Sequence, residues 1–222
     1  AVNGIMESGA AATASFSVFP AGSGNDFSTF ANDKAGFKKA ELNKIDLISV
    51  SRGGKRDYFA NMMNIGFDCA VVKETYTLKK KPFLKGSAAY IAGVLKVLAV
   101  KKTIPAKIKL SGVVSLDKKA PQGDIIEEKN ILLTACANGR YCGGGFNAAS
   151  LAMLNDGLMD VLVVNDVSRA KFISIVGNYK KGDYISEDGS MMSSFKNVID
   201  YCKCRRMEIV GPEMVCLDGE VM

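Results

Sequence analysis

The stretch from Pro20 to Asp26, PAGSGND, combines residue types that can hold a phosphate group. It follows an apolar run and precedes a predicted helix, so its free backbone N–H groups would point outward at a helix N-terminus. Gly22 and Ser23 would supply an N–H group and a hydroxyl, while Asn25 or Asp26 could cap the helix. The same composition is typical of an ordinary turn. Taken alone, the stretch leaves an anion site and a plain turn open.

Two acidic residues near the C-terminal end could act as an acid–base pair. Asp218 and Glu220, in LDGE, flank a glycine at the end of an apolar segment predicted to be a strand. Because side chains alternate along a strand, we expect both carboxylates on one side. Neighbouring carboxylates can raise a pKa, which would favour a general base near neutral pH. The alternative is an Asp-Gly hairpin turn with solvated acids.

The composition restricts the chemistry that is available. The 222 residues include no histidine, which excludes a histidine base, a Ser-His-Asp triad and histidine-bound metals within this chain. Six cysteines include one Cys-x-Cys pair, Cys202 and Cys204, with no second pair to complete a zinc site. Several cysteines lie in apolar runs and are predicted to be buried thiols in a reducing cytoplasm. The net charge of +6 suits an anionic partner.

Hydrophobic periodicity predicts the elements that position these residues. About seven strands with few long helices indicate an α+β fold, in which a β-rich sandwich (residues 39–222) follows a short α/β segment (residues 1–38). Pro82 divides two helices, Ser168 is placed to cap a third, and residues 139–150 are predicted to form a long loop. Predicted strands comprise residues 15–20, 40–51, 58–68, 105–116, 127–138, 157–166, 197–210 and 213–221, and predicted helices comprise residues 25–30, 69–80, 86–102 and 169–181.

Five motifs occur in a fixed order along the chain: PAGSGND, NIGFD, GRYCGGG, LNDGLMDV and LDGE. Together they resemble the catalytic domain of diacylglycerol kinases and the related bacterial lipid and sphingosine kinases. The family pattern Pro-x-Gly-Thr-x-Asn-Asp is met by Pro20, Gly22, Asn25 and Asp26, with Ser23 in place of threonine, so the hydroxyl is kept. The resemblance covers essentially the whole chain.

This resemblance implies an ATP-dependent kinase that phosphorylates the primary hydroxyl of diacylglycerol or a similar lipid, with ATP and Mg²⁺ as cofactors. The family's glycine-rich nucleotide loop would lie upstream of residue 1, so we expect this chain, as a truncated fragment, to be inactive alone. The matching positions are Gly22, Ser23, Asn25 and Asp26 for the nucleotide, Asp26 and Asp46 for Mg²⁺ held through water, Glu220 for the general base and Asp218 for its acidic neighbour.

The LNDGLMDV loop would have a separate role. In similar bacterial lipid kinases it holds a structural Mg²⁺, and the ligand positions fall here on the carboxylate of Asp156 and the carbonyls of Met153 and Leu158. Few protein ligands and several waters suit Mg²⁺. The alternative is a tight turn before the next strand. For Asp46, in KIDLIS, the alternative is a charge on the polar face of an edge strand.

A lipid substrate implies a membrane partner. Four lysines within Lys79–Lys85 precede the apolar helix and would suit an anionic membrane surface. The alternative, a solvated helix end, is the simpler explanation. The most apolar segment, residues 88–100, is too short to span a bilayer. We therefore expect a cytoplasmic protein, peripheral to the membrane, that could form a homodimer and has no nucleic-acid partner. Phe83, Tyr90 and Ile91 are predicted to be core residues.

Two alternatives stay open. The chain could be a non-catalytic lipid-binding sandwich that recruits a partner protein, or a kinase for a soluble substrate of the NAD kinase type. The intact acids Asp26, Asp218 and Glu220, together with Asn25, favour a kinase over the first alternative. The LDGE and PAGSGND motifs resemble the lipid kinases more than the second.

Overall fold

The computed structural model describes residues 1–15, 17–21, 25–32, 44–80, 83, 86–114 and 123–222. The α-helices in these ranges are α1 Val2–Glu7, α2 Asp26–Ala31, α3 Phe67–Lys79, α4 Gly86–Val100 and α5 Arg169–Lys181, with 3₁₀ helices at Ala10–Ala12 and Ser193–Phe195. The strands are β1 Ile48–Arg52, β2 Lys55–Phe59, β3 Met62–Gly66, β4 Ile104–Val113, β5 Gly123–Ala137, β6 Tyr141–Cys142, β7 Phe146–Asn147, β8 Met159–Asn165, β9 Ile199–Cys204, β10 Arg206–Val210, β11 Val215–Leu217 and β12 Glu220–Val221.

Strand β5 is the centre of an eight-stranded antiparallel sheet with the order β10-β4-β5-β3-β11-β12. Its first half pairs with β4, and its second half pairs with both β3 and β8. Strand β9 adds to the other edge of β8. A bridge between Val114 and Lys203 then joins the end of β4 to β9, so the sheet folds back toward itself. The small β1–β2 hairpin forms a separate sheet.

The alternation of side chains along β8 divides the core into two layers. Leu162 and Val164 join a cluster with residues of α3, α4 and α5, whereas Val161 and Val163 join a cluster with β3 and β4. A strand that is covered on both faces reads as a continuous apolar run, which is why VLVV carries no polar residue. The sheet therefore separates a helical layer from a β layer, and the predicted α+β, β-rich fold is confirmed.

The helix boundaries follow local chemistry. Ser168 caps α5 as predicted, because its hydroxyl accepts a hydrogen bond from the Lys171 N–H at 3.1 Å. Gly182 ends α5 in the left-handed conformation. Helix α2 differs from the prediction: Asn25 occupies the N-cap position with a φ of 55° and makes no side-chain cap hydrogen bond. Asp26 lies in the first turn instead, where its negative charge complements the helix dipole.

The predicted buried strand at residues 15–20 is wrong. Residues 17–21 adopt no regular structure, and Phe19 is 83% exposed. Its apolar residues favour a strand, but a strand needs a hydrogen-bonding neighbour, and none of the described strands pairs with it. The predicted domain boundary between residues 38 and 39 lies outside the described residues, so the division into two domains stays a prediction.

Several predicted strands are divided in the structure. The predicted hairpin forms between β1 and β2, but the chain bends at Ala60–Asn61 and sends β3 into the main sheet. Residues 197–210 form β9 and β10, which pair with different strands, and residues 213–221 form β11 and β12. The predicted loop at 139–150 contains the short β6–β7 hairpin.

Gly66, where β3 passes into α3, is expected to tolerate no side chain. Its φ is +87°, and an added Cβ would lie 2.5 Å from the carbonyl oxygen of Leu132. We expect Gly66→Ala to lower the free energy of unfolding by more than about 3 kcal/mol, since both strain and a backbone clash act. Gly54→Ala is the matched control, because its φ of +80° is similar but its surroundings are open. Gly54→Ala should lower the free energy of unfolding, measured with urea, by about 1 kcal/mol. Equal losses for the two variants would contradict the packing argument.

Candidate functional site

A cleft of about 340 Å³ collects residues from five separate parts of the chain, one of which is Val72 of α3. Asn25 and Asp26 enter it from the start of α2, and Asp218 enters it from the β11–β12 turn. The β2–β3 junction and the loop after β6 complete its wall with Asn61 and Gly143. The structure thus brings together three of the residues predicted for the site, although they are up to 193 positions apart (218 − 25). The predicted site residues Gly22 and Ser23 lie outside the described residues.

Asp26 is attached to the glycine loop that follows β6. Its carboxylate accepts the N–H of Gly144 at 2.9 Å and the N–H of Gly145 at 2.7 Å. Gly143, Gly144 and Gly145 all have positive φ angles, 60°, 83° and 96°, which bring their N–H groups to one side and would strain any other residue. The CGGG sequence therefore serves to turn the chain sharply beside the cleft, and its amides position Asp26.

Asp218 anchors the turn between β11 and β12. Asp218 and Gly219 have φ angles of 47° and 91°, as in the two-residue turns of tight hairpins. The Asp218 carboxylate accepts three backbone N–H groups, those of Ala60, Asn61 and Met62, at 2.9 to 3.0 Å. The Asp-Gly hairpin left open by the sequence is therefore present, but Asp218 holds the β2–β3 junction and is not merely solvated.

Glu220 lies on the returning strand of this hairpin. It is exposed and pairs with Leu217 across the turn. The prediction that Asp218 and Glu220 lie on one side of a single strand is wrong, because the chain reverses between them. The described residues that line the cleft include Asp218 and Gly219 but not Glu220. Tyr76 of α3 donates to the Gly219 carbonyl at 3.2 Å, which ties the turn to this helix.

Asp46 belongs to a different part of the site. Its carboxylate accepts the Gly157 N–H at 2.7 Å, and its own N–H donates to the Leu154 carbonyl at 2.6 Å. Asn138 donates from its side chain to the Asp46 carbonyl at 2.8 Å. Asp46 is therefore joined to the LNDGLMDV loop, whereas Asp26 is joined to the glycine loop. The described residues lining the cleft do not include Asp46.

The ammonium group of Lys203, in β9, contacts the LNDGLMDV loop where the resemblance implies a metal ion. One carboxylate oxygen of Asp156 accepts the Leu158 N–H at 3.1 Å, and the other contacts the Lys203 ammonium at 2.9 Å. Lys203 also contacts Asp160 at 2.8 Å, and its side chain is 7% exposed. Met153 and Leu158 flank Asp156, but the charge of Lys203 disfavours a cation bound to the same carboxylate. The residues present do not fit the structural Mg²⁺.

A second, enclosed cavity of about 60 Å³ lies between α3, α4 and α5. Its wall is mostly apolar, but it includes the carboxyl group of Asp68 and the ring of Tyr179. Burial raises the pKa of Asp68 from 3.8 to about 6. The Tyr179 hydroxyl and the side-chain oxygen Oδ1 of Asn64, both buried, have no hydrogen-bond partner among the described residues. Such unpaired polar groups around an apolar pocket are typical of a site that receives an amphipathic ligand.

The two cavities share a wall. The polar cleft with Asp26 and Asp218 therefore lies next to the apolar pocket, and the residues that line both are Asn64, Val72, Cys142 and Gly143. Asp68 is the acid of the NIGFD motif, but no role was predicted for it. The available signal was an acidic residue in the first turn of an otherwise apolar helix end.

The prediction of core positions on the second helix is partly wrong. Tyr90 is half-buried and lines the apolar pocket, but Phe83 and Ile91 are 94% and 58% exposed. Helix α4 packs against α3 through Gly93, so the side that carries Ile91 and Leu95 faces outward. Within the described ranges, no helix combines the length and apolarity that crossing a bilayer requires.

Comparison with known proteins finds relatives that match most of this chain. Residues 61–222 match the family described as YegS C-terminal NAD kinase beta sandwich-like domain. The chain is 32% identical over 160 residues to a probable lipid kinase YegS-like of Stenotrophomonas maltophilia (strain K279a), which covers 69% of this chain and 47% of the relative. The chain is also 30% identical over 159 residues to a probable lipid kinase YegS-like of Shewanella frigidimarina (strain NCIMB 400). This match covers 68% of this chain and 45% of the relative. The chain spans about half the length of these relatives.

Solved structures share the fold. A putative diacylglycerol kinase from Bacillus anthracis str. Sterne superposes with a TM-score of 0.54 at 20% identity, covering 93% of this chain and 62% of that chain. A second structure of a putative diacylglycerol kinase from the same organism superposes with a TM-score of 0.53 at 22% identity. It covers 90% of this chain and 61% of that chain. At these identities the likeness concerns the fold, and it agrees with the β-rich lobe described above.

Asp68→Asn is expected to stabilise the protein progressively as the pH rises from about 4 to about 7. Because the folded-state pKa of Asp68 is raised to about 6, its contribution to stability is complete below pH 3.8 and is lost as the pH rises through 6. Asparagine does not ionise, so the variant should gain about 3 kcal/mol over wild type by pH 7. Urea unfolding at several pH values measures this. The exposed Asp183→Asn is the control, and parallel curves for wild type and Asp68→Asn would refute the burial argument.

Proposed function

This chain belongs to the family of bacterial YegS-like lipid kinases, and on that premise we propose that the protein transfers the γ-phosphoryl group of ATP to a hydroxyl group of diacylglycerol or a similar lipid. The observation that carries the proposal is the shared wall between a polar cleft and an apolar pocket. A phosphoryl transfer to a lipid needs both environments within one molecule's reach, since the reacting end is charged and the remainder is apolar.

The lipid would enter the apolar pocket with its hydroxyl toward the cleft. Asp68 and Tyr179 are the polar groups that could hold the glycerol or headgroup atoms, because the Tyr179 hydroxyl has no other partner among the described residues. The pocket of about 60 Å³ is smaller than the roughly 300–1,000 Å³ of ligand sites, so it would have to widen. Helix α4 is the element that would move, since Tyr90 and Val94 line the pocket and its outer side is uncovered.

The nucleotide would bind at the start of α2, with Gly22, Ser23, Asn25 and Asp26 as its contacts. ATP carries Mg²⁺, which neutralises charge on the transferring phosphoryl group. Asp26 and Asp46 would hold water molecules of that ion. The structure supports this assignment for Asp26, which lines the cleft and whose carboxylate keeps lone pairs beyond the two that accept glycine N–H groups. Asp46 would act from the adjoining loop.

Glu220 would act as the general base. As the lipid oxygen bonds to the γ-phosphorus, its proton passes to the Glu220 carboxylate, the bond between phosphorus and the β–γ bridging oxygen breaks, and ADP leaves. Asp218 would position this base, because its three hydrogen bonds fix the turn that carries Glu220. The exposure of Glu220 suits a base that meets the substrate at the rim of the cleft.

The protein would meet its substrate at the cytoplasmic surface of a membrane, as a peripheral protein. Phe83, Ile91, Leu95 and Val100 are 58% to 94% exposed, and the first three lie along or just before α4 on the outer side of the lipid pocket. Lys79 and Lys80 are exposed, precede α4 in the sequence and would contact anionic headgroups. An apolar strip bordered by basic residues is typical of interfacial helices.

Glu220→Gln in the full-length protein is expected to lower lipid phosphorylation by about 1,000-fold, because the amide cannot accept the substrate proton. ATP affinity should be unchanged. The measurement is transfer of radiolabel from ATP to a panel of diacylglycerol, sphingoid bases and ceramide, with ATP binding by calorimetry. Glu213→Gln, an exposed glutamate near the same hairpin, is the control. Retained activity would remove Glu220 from this role, and lipid binding without turnover by the wild type would favour the non-catalytic module.

A double substitution, Ile91→Gln with Leu95→Gln, is expected to weaken binding to vesicles that contain anionic lipid by about tenfold, because two exposed apolar side chains no longer enter the interface. Activity toward a short-chain lipid in detergent should be retained. Ile126→Gln with Val210→Gln is the matched control, since these residues are 61% and 68% exposed on the β layer. Equal vesicle binding by all three proteins in sedimentation assays would exclude α4 as the docking surface.

A further inference from the structure

Lys203 is a buried lysine that the proposed reaction does not use. It lies in β9 between Cys202 and Cys204, and its side chain is only 7% exposed. Burying an ammonium group is costly unless acids surround it. Here the Nζ atom lies 2.9 Å from Asp156 and 2.8 Å from Asp160, whose side chains are 10% and 0% exposed. The single positive charge of the lysine is therefore shared between two buried carboxylates.

The remaining oxygens of the two acids also have partners. The Tyr201 hydroxyl donates to the second oxygen of Asp160, and the Leu158 N–H donates to the second oxygen of Asp156 at 3.1 Å. Tyr201 and Lys203 are two positions apart on β9, so both side chains reach the same side of the sheet. Each carboxylate thus has a charged and a neutral donor. The arrangement is a complete buried network with Lys203 at its centre.

We propose that the Lys203 ammonium takes the place of a divalent cation in the LNDGLMDV loop, so that the conformation of this loop does not depend on Mg²⁺. A Mg²⁺ ion on the Asp156 carboxylate would need an oxygen at about 2.1 Å and octahedral ligands. That position is close to Nζ, and the two positive charges would repel each other in a poorly solvated site. A covalently attached cation needs no metal supply and keeps the loop closed permanently.

The loop matters for the site because it holds Asp46. The Gly157 N–H and the Leu154 carbonyl of this loop bind Asp46 directly. Lys203 is thus a positioning residue, which acts on Asp46 through the loop. Together with the proposed kinase function, on which this step rests, the replacement of a cation by Lys203 implies that catalysis needs only the Mg²⁺ that accompanies ATP. Additional MgCl₂ at saturating Mg·ATP should then leave kcat unchanged.

Thermal unfolding of the full-length protein without nucleotide tests the proposal. For the wild type, the midpoint should be the same in EDTA and throughout a MgCl₂ titration. For Lys203→Met, the midpoint in EDTA should fall by roughly 10 °C, because Asp156 and Asp160 lose their cation. It should recover in part with MgCl₂, since the carboxylates then become available to Mg²⁺. Lys129→Met is the matched control, because Lys129 pairs with Glu127 and Asp200 while its own side chain is 22% exposed. The unfolding midpoint of this variant should fall only slightly, and by the same amount with and without Mg²⁺.

Three results would overturn the proposal. The first is a saturable rise of the wild-type midpoint with MgCl₂ that Asp156→Asn abolishes, which would show that a metal binds despite the lysine. The second is an unchanged midpoint for Lys203→Met, and the third is a lowered midpoint that MgCl₂ does not restore. If Lys203→Met is too unstable to purify, the wild-type titration and Asp156→Asn still decide. These measurements involve no substrate, so a failed kinase assay leaves the result intact.

Discussion

Carboxylates that accept backbone N–H groups from distant loops hold the site together. Asp26, Asp46 and Asp218 each bind the amides of a segment more than 100 positions away. The three loops that they fix are rich in glycine or lie at strand ends, where N–H groups have no sheet partner and must find another acceptor. A charged acceptor gives a stronger hydrogen bond than a neutral one. The acids thus form the framework of the site before any ligand is present.

This framework explains which parts of the structure could be predicted from the sequence. The helices α3, α4 and α5 and most strands followed from periodicity, and Ser168 was recognised as a cap because capping is a local interaction. The partners of Asp26 and Asp46 could not be predicted, since they lie in loops that meet only after the sheet has formed. The sequence did not decide between a hairpin and a single strand at LDGE, because Asp-Gly favours a turn while the flanking apolar residues favour one strand.

The failures on the first segment and on α4 have a common cause. Residues 15–20 and the outer side of α4 are apolar, and apolarity alone predicts burial. Whether an apolar side chain becomes buried depends on a neighbouring element, which single-sequence patterns do not contain. Phe19 and Ile91 remain exposed because the described elements leave those sides uncovered. Asp68 was missed for the converse reason: a single acid beside apolar residues looks like a helix-start charge until the packing of three helices encloses it.

The polar cleft and the apolar pocket differ in polarity, and they can adjoin only if the wall between them is thin. Asn64 from β3, Val72 from α3 and Cys142–Gly143 from the glycine loop form that wall. At Gly143 a Cβ would lie 2.8 Å from the Tyr90 hydroxyl, so a side chain there would push Tyr90 of α4 away. The glycines of CGGG therefore meet two demands at once: they turn amides toward Asp26, and they let α4 pack closely against the wall that the polar cleft and the apolar pocket share.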